Sequence, residues 1–201
     1  MPTSQMGERI RAERERQGIS VRALARDVGV SASMISQIET GKSRPSVSTL
    51  YAITTALGIP MQDVFVEDGS GGPIPTLLDA LGAARGMRLG PHVQPKQRQM
   101  LSLDSGVTWE RLGALPPLNV DFLQITYAPG GTSSSSGELM RHSGWEYGYL
   151  VSGALLLTLG FEEITLEPGD AVSFDSTTPH RYRNESTEPA VGIWFVVANQ
   201  P

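Results

Sequence analysis

The sequence predicts a chain of two domains and two fold classes, an all-α head followed by an all-β barrel. Three observations predict it. Residues 1–66 carry apolar side chains at helical spacing, punctuated by Gly18, Gly29 and Gly41. From Arg98 to the end of the 201 residues, the apolar period falls to two, in short runs rich in β-branched and aromatic residues. Between them, residues 67–97 dissolve into glycine and proline (EDGSGGPIP, then RLGPHVQPKQ), the composition of a linker. Within that linker a helical piece is predicted around Thr76 to Ala84.

In the head, a first helix is predicted from about Gln5 to Gln17, ended by Gly18 in the left-handed position that glycine tolerates. Ser20 is a good N-cap for a second helix, whose Val21, Leu24, Ala25 and Val28 share one face. After Gly29, Ser31 can cap a third helix with Ile35 and Ile38 facing inward. Beyond Lys42-Ser43-Arg44-Pro45, Ser46 caps a fourth helix that buries Leu50, Ile53 and Leu57. A short fifth helix, about Met61 to Val66, brings in Phe65. Helices two and three, separated by a tight glycine turn, make a helix-turn-helix.

The segment ISVRALARDVGVSASMISQIETGKSR, Ile19 to Arg44, resembles the Xre-type family of phage and bacterial repressors. It carries Leu24-Ala25, Gly29-Val30-Ser31, Ile35-Ser36, Ile38-Glu39 and Gly41-Lys42. The resemblance implies a lambda-repressor-like head, with the third helix in the major groove of double-stranded operator DNA. Its outward residues are Ala32, Ser33, Ser36 and Gln37. Gln37 suits an adenine edge, the two serines either a donor or an acceptor, and Ala32 a thymine methyl. Ser20 sits where this fold approaches a phosphate, and Lys42, Ser43 and Arg44 follow the recognition helix where backbone phosphates lie. In the resembling repressors the position of Glu39 pairs with an arginine of the first helix, and the spacing here offers Arg14.

The net charge of −5 hides an asymmetry that fits this reading. Residues 1–66 hold eight Lys/Arg against six Asp/Glu, and residues 67–201 hold eight against fifteen. A weakly basic head on an acidic body is expected when only the head approaches phosphates. No cysteine is present, so thiolate metal sites and disulfides are excluded and a reducing compartment is favoured. The charged N-terminus lacks the apolar core of a signal peptide, and no apolar stretch is long enough to span a membrane. A cytoplasmic protein is the expectation.

In the second half, strands are predicted at Gln99–Leu103, Val107–Leu112, Val120–Ala128, Trp145–Val151, Ala154–Leu159, Phe161–Leu166, Ala171–Phe174, His180–Arg183 and Gly192–Val197. Regular short strands over about a hundred residues argue a closed β-sandwich or jelly-roll barrel. From Gly130 to Asn184 the chain resembles the cupin superfamily. His142, three intervening residues, Glu146, six more and Gly153 follow the first cupin motif, with Met140 where that motif has its first histidine. Pro168-Gly169-Asp170, His180 and Asn184 represent the second motif, with Asp175 and Thr177 in place of its internal proline and glycine.

What the resemblance implies is a site of His142, Glu146 and His180, two histidines and one carboxylate. That set suits Fe(II), Mn(II), Ni(II) or Zn(II) with positions left open. The alternative is that the trio orients an organic effector or water, and Met140, an apolar thioether, leaves both readings open. With Glu146 inward, strand alternation sends Tyr147 and Tyr149 outward, while Tyr182, two beyond His180, shares the pocket side with Met140. Phe122, Phe174 and Trp194 are further candidates for core, pocket or dimer surface.

The architecture as a whole resembles Xre-cupin regulators. It implies a sequence-specific, non-enzymatic homodimer with the DNA-reading head over residues 1–66 and an effector-sensing, dimerising barrel over 98–201. A second layout is similar, that of hydroxypropylphosphonate epoxidase, a helical domain with a mononuclear iron cupin. An enzyme has no use for Lys42 and Arg44 beside a polar recognition face, which favours the regulator.

Overall fold

The structure, a computed structural model, describes residues 2–65, 92–113 and 120–197. The expected helix at 76–84 lies outside these residues. Four α-helices form the head: α1 (Pro2–Arg16), α2 (Val21–Val28), α3 (Ala32–Glu39) and α4 (Val47–Leu57). Each of the last three starts on a serine. The hydroxyls of Ser20, Ser31 and Ser46 accept from the backbone N–H groups of Ala23, Met34 and Thr49 at 3.1–3.2 Å, satisfying donors that helix geometry leaves orphaned. Gly29 ends α2 in the left-handed region (φ 78°), which gives the tight turn into α3. Helix α1 begins three residues earlier than expected. Where the fifth helix is expected, the described residues show a single 3-10 turn, Met61–Val64. Met6, Ile10, Leu24, Ile35, Ile38, Leu50 and Ile53 are all but fully buried and form the core between the helices.

After a second 3-10 turn (Pro95–Gln97), the described residues form nine strands: β1 (Met100–Ser102), β2 (Val107–Gly113), β3 (Val120–Tyr127), β4 (Trp145–Ser152), β5 (Leu155–Leu159), β6 (Glu162–Leu166), β7 (Ala171–Asp175), β8 (His180–Arg183) and β9 (Ala190–Val197). They form two antiparallel sheets, β1-β2-β3-β9-β4-β7 and β6-β5-β8. Strict alternation decides what faces inward. On β4, Glu146, Gly148 and Leu150 are buried while Trp145, Tyr147, Tyr149 and Val151 are exposed. On β9, Trp194 is buried between Gly148 and Gly192. A Cβ at Gly148 would stand 2.8 Å from the indole, and one at Gly192 would collide with it, so only glycine leaves the ring its place.

Head and barrel touch directly. The backbone N–H of Ser48 donates to Ser133 O and that of Asp104 to Pro45 O, at 3.0 and 2.8 Å. Tyr51 of α4 and Phe65, just past the 3-10 turn, both pack on Trp109 of β2, with ring centroids 5.9 and 6.3 Å away.

Candidate functional site

Helix α3 presents Ser33, Ser36 and Gln37 to solvent, with Ala32 half-buried at its start. The Gln37 amide lies 3.4 Å from the Ser33 hydroxyl, one turn back, which orders it along the outer face. Ser20 is exposed, and its oxygen already caps α2; its own O–H remains a donor that a phosphate could accept. Lys42 and Arg44 are exposed, Ser43 is partly so, and among the described residues the two cations form no ion pair. The sequence reading passed over two further exposed neighbours. Arg22 follows Ser20 on the outer side of α2, and Met34 stands beside Ser33.

Behind this face, Arg14 and Glu39 form a two-pronged ion pair, Nε to Oε1 at 2.6 Å and Nη2 to Oε2 at 2.9 Å, with both residues buried. The remaining Arg14 nitrogen donates to Ile19 O at 2.9 Å, so the guanidinium ties α1, α3 and the entry to α2 together.

The second site is inside the barrel. Of the three histidines in the chain, two converge on Glu146. His142 Nε2 stands 2.8 Å and His180 Nε2 3.0 Å from Glu146 Oε1, and all three residues are buried. The His180 contact is close but off-axis, so Nε2 makes no hydrogen bond of proper angle. Its other nitrogen, Nδ1, stands 2.8 Å from Thr178 O, which holds the proton there and leaves the Nε2 lone pair facing the cluster in the neutral ring. Glu146 Oε2 is held separately: Tyr182 Oη donates to it at 3.2 Å and accepts from Trp194 Nε1 at 3.3 Å.

Burial works against ionising Glu146, but the two histidines outweigh it and hold the carboxyl down to about 2. Burial likewise disfavours a charged His180, yet its contact with Glu146 raises the imidazole above its ordinary value.

Two donors at right angles, each about 2.1 Å from one ion, stand about 3.0 Å apart. The observed 2.8 and 3.0 Å spacings and the orphaned Nε2 therefore fit a divalent metal, and this buried group could hold one. Met140 is buried and bridges His180 backbone to backbone, at the position where the first cupin motif has its first histidine. Asn184, from the second motif, is structural: its amide donates to Tyr127 O and Glu188 O at 2.9 and 2.8 Å.

Three further buried residues carry no motif. Tyr51 of α4 lies face to face with His142, ring centroids 4.0 Å apart and planes 4° from parallel. Arg111 and Asp121 are buried charges on the inner faces of β2 and β3. Alternation held the signal for Arg111, since it stands two residues from Trp109 and four from Val107, both core positions.

Residues 10–64 match the helix-turn-helix family and residues 123–196 match the Cupin domain family. Over 182 residues, 90% of this chain and 88% of the other, the sequence is 28% identical to the HTH-type transcriptional regulator PuuR of Escherichia coli (strain K12). It is 29% identical over 171 residues to the HTH-type transcriptional regulator SutR of the same strain, covering 85% and 82% of the two chains. The chain is a helix-turn-helix transcriptional regulator with a cupin domain. The crystal structure of an HTH_3-family transcriptional regulator from Vibrio cholerae overlays on this cupin regulator with a TM-score of 0.67, across 98% of this chain and 97% of that one. At 22% identity that likeness shows a shared fold. Among the described residues, no helix of the regulator is long and apolar enough to cross a membrane.

Proposed function

We propose that this regulator is a one-component sensor of the cytoplasm, in which occupancy of the barrel alters the placement of paired DNA-reading heads. One observation carries the reading: the ring of Tyr51, from the helix that follows the recognition helix, stacks on a member of the buried His142–Glu146–His180 cluster. A change in position or charge at His142 is thereby felt by α4, and α4 packs against α2 and α1 of the helix-turn-helix.

In this reading the head spans residues 1–66, the linker 67–97 and the sensing barrel 98–201. Ala32, Ser33, Ser36 and Gln37 meet base edges, while Ser20, Lys42, Ser43 and Arg44 meet phosphates. Within the barrel, His142, Glu146 and His180 hold Fe(II), Mn(II), Ni(II) or Zn(II), and Met140 and Tyr182 line the space beside it. Bound there, the ion supplies a positive charge and open positions for an effector. The protein's own part is orientation: Thr178 O fixes the His180 tautomer, and the Trp194–Tyr182 relay fixes Glu146.

The outer face of β4 and β9 supports a homodimer. Trp145, Tyr147, Tyr149, Val151, Phe195 and Val197 are each at least 36% exposed on adjacent strands, and Phe122 stacks on Phe195 at 4.3 Å. A contiguous apolar stripe of this kind is what a self-complementary interface buries. The epoxidase alternative has no comparable support, because the relatives spanning 85–90% of the chain are named as regulators.

The test is to measure binding of full-length protein to DNA selected from a random pool, with and without added zinc(II) or manganese(II). Wild type should change its affinity on metal addition. Tyr51→Leu, checked for folding by circular dichroism, should bind the DNA and lose the response. A Tyr51→Leu variant that responds like wild type would refute the coupling.

A further inference from the structure

Arg111 is 1% exposed, yet much of its hydrogen-bonding capacity goes unused. Nη1 donates to Gln99 Oε1 at 3.3 Å, while Nε and Nη2 have no hydrogen-bond partner among the described residues. Those two nitrogens form one edge of the guanidinium, the edge whose parallel N–H groups match the two oxygens of a carboxylate. A buried guanidinium without a paired anion is costly, so its place inside the barrel asks for a counter-charge. Asp121 and Asp63 both contribute to the field at Arg111, but neither makes an ion pair with it, and Asp63 pairs with Arg9 at 3.6 Å. Burial raises the Asp121 carboxyl to about 6, against the opposing pulls of Arg111 and His142, so at neutral pH it still carries a charge that a second anion would meet.

The register places this edge on the same inward sheet face as the metal-type cluster, with both closed to solvent. Arg111, Leu123, Trp194 and Gly148 form one inward rung across β2, β3, β9 and β4. Asp121, Val196 and Glu146 form the next. The Phe65 ring lies under the guanidinium, 5.9 Å from Cζ, and Trp109 is two residues away on the same face. Tyr51 packs edge-on against Trp109 and stacks on His142, so aromatic rings run from the Arg111 side to the cluster.

We propose that the barrel's effector is a small organic acid with one carboxylate, whose two oxygens pair with Nε and Nη2 of Arg111 while its apolar body lies against Trp109 and Phe65. A singly charged planar group fits better than a phosphate, whose second charge would face Asp121. The proposal rests on the sensor reading above and names the ligand class for the barrel. Arg111 selects the acid, and Asp121 limits the charge admitted.

Calorimetry on the full-length protein without DNA tests it, with acetate, benzoate and inorganic phosphate as probes and acetamide and benzamide as neutral controls. At least one acid should bind saturably, with its amide weaker by about thirtyfold or more, the lower end of the cost of losing one partner of a buried charge pair. Arg111→Met should lose that binding, and Asp121→Asn, which removes a like charge, should tighten it several-fold. If Arg111→Met fails to fold, the Asp121→Asn result still decides. Binding of neither acid, equal binding of acid and amide, phosphate binding tighter than both acids, or unchanged affinity in Asp121→Asn would each overturn the proposal. A separate DNA titration with the bound acid distinguishes the two readings. An acid that occupies the Arg111 site without altering DNA affinity defeats the sensor coupling and leaves the acid site standing.

Discussion

Arg14 and Glu39 meet as a fork on a carboxylate, 2.6 and 2.9 Å apart at the two prongs, although 25 residues separate them in the chain. Removing one partner strands the other in a buried position. Glu39→Ala should therefore destabilise the head by about 3–5 kcal/mol, far more than an exposed pair is worth. Thermal melts of the variant measure this, and an unchanged melting temperature would show that the pair does not brace the helices.

Positioning and reading of DNA should separate by mutation. Lys42→Ala and Arg44→Ala should each weaken binding to all DNA and flatten the salt slope by about one unit. Gln37→Ala should cost about 1–3 kcal/mol on a selected operator and spare random DNA. Titrations of both DNAs at several salt concentrations check the two outcomes. Equal losses on both DNAs would remove Gln37 from the base-reading set.

Metal affinity should fall as pH falls, and the direction follows from His180. A ligand imidazole must be neutral, and contact with Glu146 raises the His180 value above its ordinary 6.5. Protons therefore begin to compete with the ion already above pH 6.5, while Glu146, held at about 2, stays ionised throughout. His180→Ala should abolish uptake and Met140→His should strengthen it, read by metal titration and elemental analysis. Undiminished affinity between pH 8 and pH 6 would be inconsistent with imidazole ligation.

The exposed β4–β9 face predicts assembly. Tyr147→Asp with Phe195→Asp, an opposed pair on adjacent strands, should convert a dimer to a monomer in light scattering and leave the fold intact. A dimer that survives both changes places the interface elsewhere.

Much of this was legible in the residues. Ser20, Ser31 and Ser46 announced three helix starts, because a hydroxyl at the N-cap is a local device that needs no tertiary knowledge. Period-two alternation sent Tyr147 and Tyr149 outward and Tyr182 inward, as observed. Motif spacing brought His142, Glu146 and His180 forward as a set, and the fold brings them within contact. Tyr51 was invisible because it stands beside Leu50, off the stripe of Leu50, Ile53 and Leu57. Its partner is in another domain, and helical periodicity reports only that a face is buried, not against what. Arg111 and Asp121 were passed over because charges on strands are most often solvent-facing. Their inward placement was encoded only in parity with Trp109 and Leu123.

The seating of Trp194 between Gly148 and Gly192 has an optical consequence. Its indole N–H reaches Tyr182, and Tyr182 reaches Glu146, so the fluorophore is two hydrogen bonds from the carboxylate at the centre of the cluster. Trp109, the other buried indole, lies at the Arg111 end. Trp145, on the outer face of β4, is the remaining tryptophan. A Trp145→Phe background would leave one native emitter beside Arg111 and one beside the cluster, and the regulator's own spectrum would then record filling of the barrel without a label.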